Sequence, residues 1–238
     1  MSTGLELLPW DTDLFGYKVA ELRPASAELA AVRRLIAEAR QQQVRLLYWF
    51  IEPHNEQALA VAAAVGALLV DRKVTYLMAV PTAPDVPAGV SSTSRLTPQL
   101  YSLAIQSGCF SRYRLDPGFA PDVYERLYSR WIENSVSGAR AREVLVYQPQ
   151  PDAEATGLAT LGIKHNRVNI DLLAVDAPMR GLGIGAKLIQ AARQRTHAWG
   201  FRELEVVTQL DNEAACRMYE RCGFHREFLY HTYHIWLE

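Results

Sequence analysis

The sequence predicts an α/β (α+β) chain in two parts, a smaller amino-terminal half followed by a complete domain around a mixed, mostly antiparallel central sheet. Three observations carry this expectation. Strand-like and helix-like segments alternate along all 238 residues. The stretch 81–94, PTAPDVPAGVSSTS, with three prolines, a glycine and a run of four hydroxyl residues, reads as a linker. Residues 45–76 then repeat at 202–233, with eight identities in 32 gap-free positions. Asn55 falls on Asn212, Glu56 on Glu213, Ala58 on Ala215, Gly66 on Gly223 and Thr75-Tyr76 on Thr232-Tyr233, whereas Tyr219 faces Ala62. The expected division is therefore 1–80, a linker at 81–94, and 95–238.

GLELLPW begins as a short strand, and Asp11, Asp13 and Gly16 suggest a turn into a second strand. From Ser26, a plausible N-cap, Leu29, Val32, Leu35, Ile36 and Ala39 fall on one helical face. VRLLYWFIE reads as a buried strand, Glu56 to Val65 as a short helix ended by Gly66, and LLVDRKVTYLMAV as a closing strand. Beyond the linker, 98–106 and 121–135 read as helices with the loop SGCFSRYRLDPGFAPD between them. The strands EVLVYQ, ATGLATLGIK and RVNIDLLAV follow, joined by PQPDAE and HN, connections short enough for antiparallel pairing. A helix from about Leu182 to Ala198, the strand ELEVVTQL, a helix from Asn212 to Cys222 and a last strand complete the chain.

The net charge of −1 gives no electrostatic case for nucleic acid or a membrane surface. The first thirty residues lack a basic start followed by an apolar core, and no run of ~18 apolar residues occurs, so a cytoplasmic protein is expected. Cys109, Cys216 and Cys222 are odd in number and read as free thiols. The six histidines are scattered, His231 and His234 should point to opposite faces of a strand, and no metal is expected.

The most informative stretch is LLAVDAPMRGLGIGAKLIQAA, residues 172–192. A strand ends at Val175, the chain turns, and Gly181, Gly183 and Gly185 line the entry into a long helix. Glycines there let backbone amides face outward, and successive N–H groups at a helix start form an anion cup that a diphosphate fits. Arg180 can add a charge-assisted contact. A Walker A loop is absent, because Ala186 precedes Lys187 and no glycine-lysine pair occurs there. A dinucleotide fingerprint also fails, because the third glycine falls at 185 and the preceding strands read as antiparallel.

VDAPMRGLGIGAKLI resembles motif A of the GCN5-related N-acetyltransferases (GNAT), with Arg180, Gly183 and Gly185 in register, and NEAACRMYERCGF resembles that family's following segment through Asn212, Ala215, Tyr219, Gly223 and Phe224. SRYRLDPGFAPDVYERLYSRWIENSV, VVTQLDNEAA and WDTDLFGYKV are similar to one branch, the dTDP-fucosamine acetyltransferases. The resemblance spans nearly the whole chain and is looser over 18–70. It implies a GNAT fold preceded by a truncated GNAT-like half. It also implies acetyl transfer from acetyl-CoA to the 4-amino group of a nucleotide-linked 4-amino-4,6-dideoxy sugar.

For the cosubstrate the resemblance implies Leu173, Val175, Arg180, Gly181, Gly183, Ile184 and Gly185, with Asn212 capping its helix or touching acetyl-CoA and Arg217 reaching its phosphates. The pantetheine would lie where the strand ending at Val175 splays from the strand ending near Gln209, and the N–H of Val175 would polarise the thioester. Tyr219 is the expected proton donor to the departing thiolate, since a phenol of pKa ~10 stays protonated at neutral pH. Asp71 and Asp171 are the carboxylates considered for the amine proton, beside a mechanism with no dedicated base. Arg112 and Tyr113 are candidates for a nucleotide diphosphate and its base. The partner expected is a small-molecule nucleotide sugar, and a homodimer stays open. Two rivals stand beside this function: a GNAT enzyme for an antibiotic amino sugar, polyamine or protein N-terminus, and a non-catalytic acyl-CoA-binding module. The tyrosine-less first copy is expected to hold the amine.

Overall fold

In the computed structural model, residues 4–82, 84–150 and 153–238 are described; Ala83 of the expected linker and Pro151-Asp152 of the expected hairpin connection lie outside them. The chain forms two compact units, one of residues 1–73, 115–120 and 229–238 and the other of residues 74–114 and 121–228.

The first unit carries β1 (Gly4–Leu7), α1 (Pro9–Phe15), β2 (Lys18–Arg23), α2 (Leu29–Gln41), β3 (Val44–Ile51), α3 (Glu56–Ala64), the start of β4 (Leu68–Ala79) and the end of β10 (His225–Trp236). Its strands run in the order β1-β2-β3-β10, with β2 and β3 parallel and the other two pairs antiparallel. A turn is expected over residues 11–16, yet a helix forms. Pro9 sits in its first turn, where no intrahelical N–H is needed, and Gly16 closes it at φ 76°, donating its N–H to the Thr12 carbonyl. The next helix begins at Leu29 after Glu28, not at Ser26, and its cap uses no side-chain bond. Val32, Ile36 and Ala39 of α2 and Ala58, Val61 and Ala62 of α3 bury against Leu47, Trp49 and Ile235.

One buried polar group organises this unit. Asp116 accepts from the Gly118 N–H at 2.8 Å and from Trp236 Nε1 at 2.9 Å, and its Oδ2 lies 2.5 Å from His234 Nδ1. Both acid and histidine side chains are fully buried, and Tyr48 stacks on the imidazole at 4.8 Å while bonding Asp11 through its hydroxyl. Burial opposes the charge on Asp116, but the bonds from His234, Gly118 and Trp236 outweigh it and hold the carboxyl below its ordinary value. Gly118 is required by packing, since a β-carbon there would lie 2.3 Å from the Trp236 indole.

The second unit carries β5 (Val90–Ser92), α4 (Pro98–Ser107), α5 (Arg112–Leu115, all but its last residue), α6 (Val123–Val136), β6 (Glu143–Tyr147), β7 (Gly157–Lys164), β8 (Arg167–Val175), α7 (Ile184–Ala198), β9 (Glu203–Gln209) and α8 (Glu213–Arg221). Its strands run β4-β9-β8-β7-β6-β5, antiparallel from β5 through β8 and parallel between β8 and β9. The stretch expected as a linker thus contributes β5, an edge strand on β6. His165 and Asn166, with φ of 49° and 61°, turn the β7–β8 hairpin through two left-handed residues, as a two-residue loop requires. The loop expected at 107–121 contains the short helix α5.

The repeat is legible in the backbone. Adding 157 to the bounds of α3 and β4 gives the bounds of α8 and β10. Asn55 caps α3 through the Ala58 N–H at 3.0 Å, and Asn212 caps α8 through the Ala215 N–H at 3.2 Å. The closing strands are exchanged: the end of β10, from the second copy, pairs with β3, and the end of β4, from the first, lies beside β9.

Asp116→Asn is expected to lower unfolding free energy by about 1–3 kcal/mol, the cost of weakening buried hydrogen bonds to a charged group, read from urea midpoints at pH 7. Because the folded pKa of Asp116 lies below its unfolded value of ~3.9, the stabilisation is complete above that value and lost as pH falls through the folded one. The gap between wild type and variant should therefore narrow below about pH 4.

Candidate active site

The site in the second unit begins where β8 leaves its parallel partner. The β8–β9 ladder runs only from Val168↔Leu204 to Ile170↔Val206, although β8 continues to Val175 and β9 to Gln209. On its other edge β8 stays paired with β7 up to Gly157↔Val175, with Asp171 the one extra residue between Ile170↔Leu161 and Leu172↔Thr160. The Asp176 N–H bonds the Thr156 carbonyl and the Leu172 N–H bonds Thr160 Oγ1. Strand alternation then turns the N–H groups of Leu173 and Val175 toward the open β9 side.

After Val175, Asp176 caps a single 3-10 turn, Ala177–Met179, and Arg180 is extended. Gly181 and Gly183 take φ of 82° and 78°, and Gly183 stands at the N-cap of α7 with no side-chain cap. The first N–H groups of this fifteen-residue helix therefore meet no capping side chain, the arrangement that suits an anion at a helix start. The glycines serve two different needs. Around Gly181 and Gly183 a β-carbon would meet nothing within 4 Å, so backbone conformation demands them. At Gly185 a β-carbon would lie 2.5 Å from Met218 Sδ, so a larger residue there would push aside the side chain by which α8 meets α7.

Gln106, on α4, bonds this turn at three points. It had no signal in the sequence, lying 70 residues from Asp176 with no motif around it.

Tyr219 is buried on α8, its ring 5.6 Å from Phe224 and 5.7 Å from Tyr76. Burial first, then the neighbouring Cys216 and Cys222 thiols, push its phenol well above the ordinary tyrosine value, so it is protonated throughout the physiological range. Tyr76 is also missed by the sequence reading: its hydroxyl donates to Glu220 at 2.8 Å and accepts from Arg226 at 3.0 Å. The three cysteines are free thiols.

Other candidates fall around or away from this turn. Asn212 Oδ1 is engaged as the α8 cap, and Arg217 pairs with Glu213 at 2.9 Å on the exposed face of the same helix. Asp171 accepts from Asn169 at 2.8 Å and lies 3.8 Å from Arg140. Burial nonetheless raises its pKa against the pull of Arg140, Lys164 and Asn169. Arg112 is buried, donates to the Tyr113 hydroxyl at 2.7 Å and lies over that ring at 4.7 Å. Asp71 is buried on β4 within the first unit.

The strand exit, the glycine turn without a side-chain cap and the buried tyrosine all lie in the second unit, within the segment that matches a known family. Residues 108–224 match the Acetyltransferase (GNAT) family. The chain is 30% identical over 220 residues, 92% of each chain, to the dTDP-fucosamine acetyltransferase of Escherichia coli O6:H1. It is 29% identical over 140 residues to the spore coat polysaccharide biosynthesis protein SpsD of Bacillus subtilis, covering 59% of this chain and 47% of that one. A GCN5-related N-acetyltransferase from Sphaerobacter thermophilus shares the fold, with TM-score 0.64 at 16% identity over 98% of this chain and 76% of that one. The chain belongs to the GNAT family of acetyl-CoA-dependent N-acetyltransferases.

Gly183→Ala, which forces a side chain into the left-handed region at a cost of about 1–2 kcal/mol, is expected to raise the KM for acetyl-CoA roughly tenfold. Steady-state kinetics at saturating acceptor check this.

Proposed function

We propose that this enzyme moves the acetyl group of acetyl-CoA to the 4-amine of a nucleotide-linked 4-amino-4,6-dideoxy sugar, of the dTDP-fucosamine kind. The observation that carries this substrate class is the 30% identity, spread over 92% of both chains, with a dTDP-fucosamine acetyltransferase. Similarity to a polysaccharide biosynthesis protein points the same way.

Acetyl-CoA supplies the activated acetyl thioester. The N–H groups at the start of α7, with Gly181, Gly183, Ile184 and Gly185, hold its diphosphate, and Arg180 adds a cationic contact. Asn212, at the N-cap of α8, and Arg217, one turn further along it, are further contacts. Leu173 and Val175 offer N–H groups along the open edge of β8, and that of Val175 polarises the carbonyl as the amine attacks. Tyr219 gives its phenolic proton to the departing thiolate. Asp71 receives the ammonium proton. The pairing of Asp171 with Asn169 and Arg140 favours a supporting role for that carboxylate instead. Arg112 and Tyr113 are proposed for the nucleotide, the burial of Arg112 and its stacking on the Tyr113 ring supporting a preformed surface for a diphosphate and a base. Every step is direct transfer, so Cys216 and Cys222 need no covalent role.

Thiol release should be followed with acetyl-CoA and a panel of dTDP- and UDP-linked 4-amino sugars, polyamines, aminoglycosides and peptides. Turnover confined to the sugar nucleotides is expected; turnover of another amine alone would move the enzyme to a different GNAT substrate class. Tyr219→Phe is expected to lower kcat by roughly 10²–10⁴-fold while acetyl-CoA binding holds. An unchanged kcat would remove the tyrosine from the mechanism. Asp71→Asn should lower kcat/KM and make its pH profile follow the free amine; an unaltered profile would remove Asp71 as the base.

A further inference from the structure

We propose that Gln106 is a positioning residue for the acetyl-CoA diphosphate, acting through Arg180 and the Asp176–Ala177 exit of β8; this rests on Gly181–Gly185 being the diphosphate cup. Its Nε2 donates to Asp176 Oδ1 at 2.9 Å and to Ser102 Oγ at 3.2 Å. Its Oε1 accepts from the Ala177 N–H at 3.1 Å and from Arg180 Nη2 at 3.2 Å. A primary amide has two N–H donors and two acceptor lone pairs, and here all four are used. The amide cannot be turned over, because its NH₂ would then face the Ala177 N–H and the guanidinium while its oxygen faced the Asp176 carboxylate.

The consequence falls on Arg180, whose side chain is exposed. Its Nε donates to the Val175 carbonyl at 3.1 Å and its Nη2 to Gln106, while Nη1 carries no hydrogen bond among the described residues. Two anchors on a planar group leave the third nitrogen with a fixed place at the cup. An exposed arginine otherwise gives up rotamer freedom when it settles on a phosphate, and holding it beforehand removes much of that cost. Gln106 also commits one oxygen of Asp176, the carboxylate nearest the cup in sequence, to a donor on α4.

A structural role for the amide would predict something else. Helix α4 is already seated by the buried Leu100, Leu103 and Ala104, so removing the Gln106 bonds should leave folding intact and change the ligand site.

The test is calorimetric titration of CoA against wild type, Gln106→Met, which keeps the shape without the bonds, Arg180→Ala and the double variant, with acetyl-CoA kinetics beside it. Gln106→Met is expected to weaken CoA about tenfold, the scale of one hydrogen bond to a charged group. KM for acetyl-CoA should rise with kcat and the melting temperature held. In the Arg180→Ala background the same change should cost less affinity than in wild type, because one of the two groups through which it acts is gone. Wild-type affinity in Gln106→Met, an undiminished effect in the Arg180→Ala background, or a fall in kcat and melting temperature with KM unchanged would each overturn the assignment. Wild-type protein that binds no CoA would overturn the cup itself, an outcome visible before any variant is made.

Discussion

The donor half of the molecule depends on one extra residue in β8. Asp171 interrupts the β7–β8 register, and the β8–β9 ladder stops at Ile170, the residue before it. A bulge bends and over-twists its strand, so beyond this point β8 follows β7 and leaves β9. That parting frees one backbone edge of a buried sheet without a loop, and it does so beside the turn that leads into α7. Gly157, opposite Val175, lets that helix approach, since a β-carbon there would lie 2.8 Å from Ile184 Cγ2 and 3.0 Å from Leu188 Cδ1. The open edge and the start of α7 are therefore fixed against the same pair of residues, and their spacing is set by packing in the core.

The first copy keeps the frame and loses each of these devices. Its helix–strand segment has the same bounds, the same asparagine cap and the same left-handed glycine after the helix. Its long helix, however, is entered from Pro24 through Glu28, with no glycine turn and with a carboxylate at the cap. A negative charge there satisfies the helix dipole by itself and repels a phosphate. Where Tyr219 stands in the second copy, Ala62 is fully buried in the core of the first unit. The equivalent position of the first copy is thus a packing position. The Asp116–His234–Trp236 group marks the specialisation of this half, built from a segment after α5 and from the last strand.

The local geometry of the glycine turn and of α8 was legible in the sequence because these residues act on the backbone at fixed spacing. Arg180, Gly181, Gly183 and Gly185 sit in one turn, and Asn212 and Tyr219 in one short helix, so their arrangement follows from local conformation. The alternation of elements was likewise readable from hydrophobic period. What escaped was non-local or ambiguous in composition. Asp11, Asp13 and Gly16 serve a turn and a helix end equally well, and Pro9 decided for the helix. Val90–Ser92 lies in a proline-rich stretch and becomes a strand because β6 offers an unpaired edge. Gln106, Tyr76 and the Asp116–His234 pair bridge 70 to 144 residues or carry no motif, and only the tertiary fold brings their partners together.

The burial of Tyr219 bears on how a phenol can serve as the acid. Desolvation raises its pKa, which makes it a poorer donor to water and keeps it loaded at all physiological pH. The group it must protonate in the proposed reaction is a thiolate formed in the same low-dielectric surroundings, and desolvation raises the basicity of that sulfur as well. The two shifts share a cause and a sign, so the near match between phenol and thiol survives burial even though both have moved. The proton then has no favourable destination until the carbon–sulfur bond begins to break, and a strong one once it does. A tyrosine more open to water would keep its ordinary acidity and lose that coupling, since solvent would compete for the sulfur. In the proposed reaction the packing of Phe224 and Tyr76 around the ring is therefore part of the acid's chemistry as well as of the core.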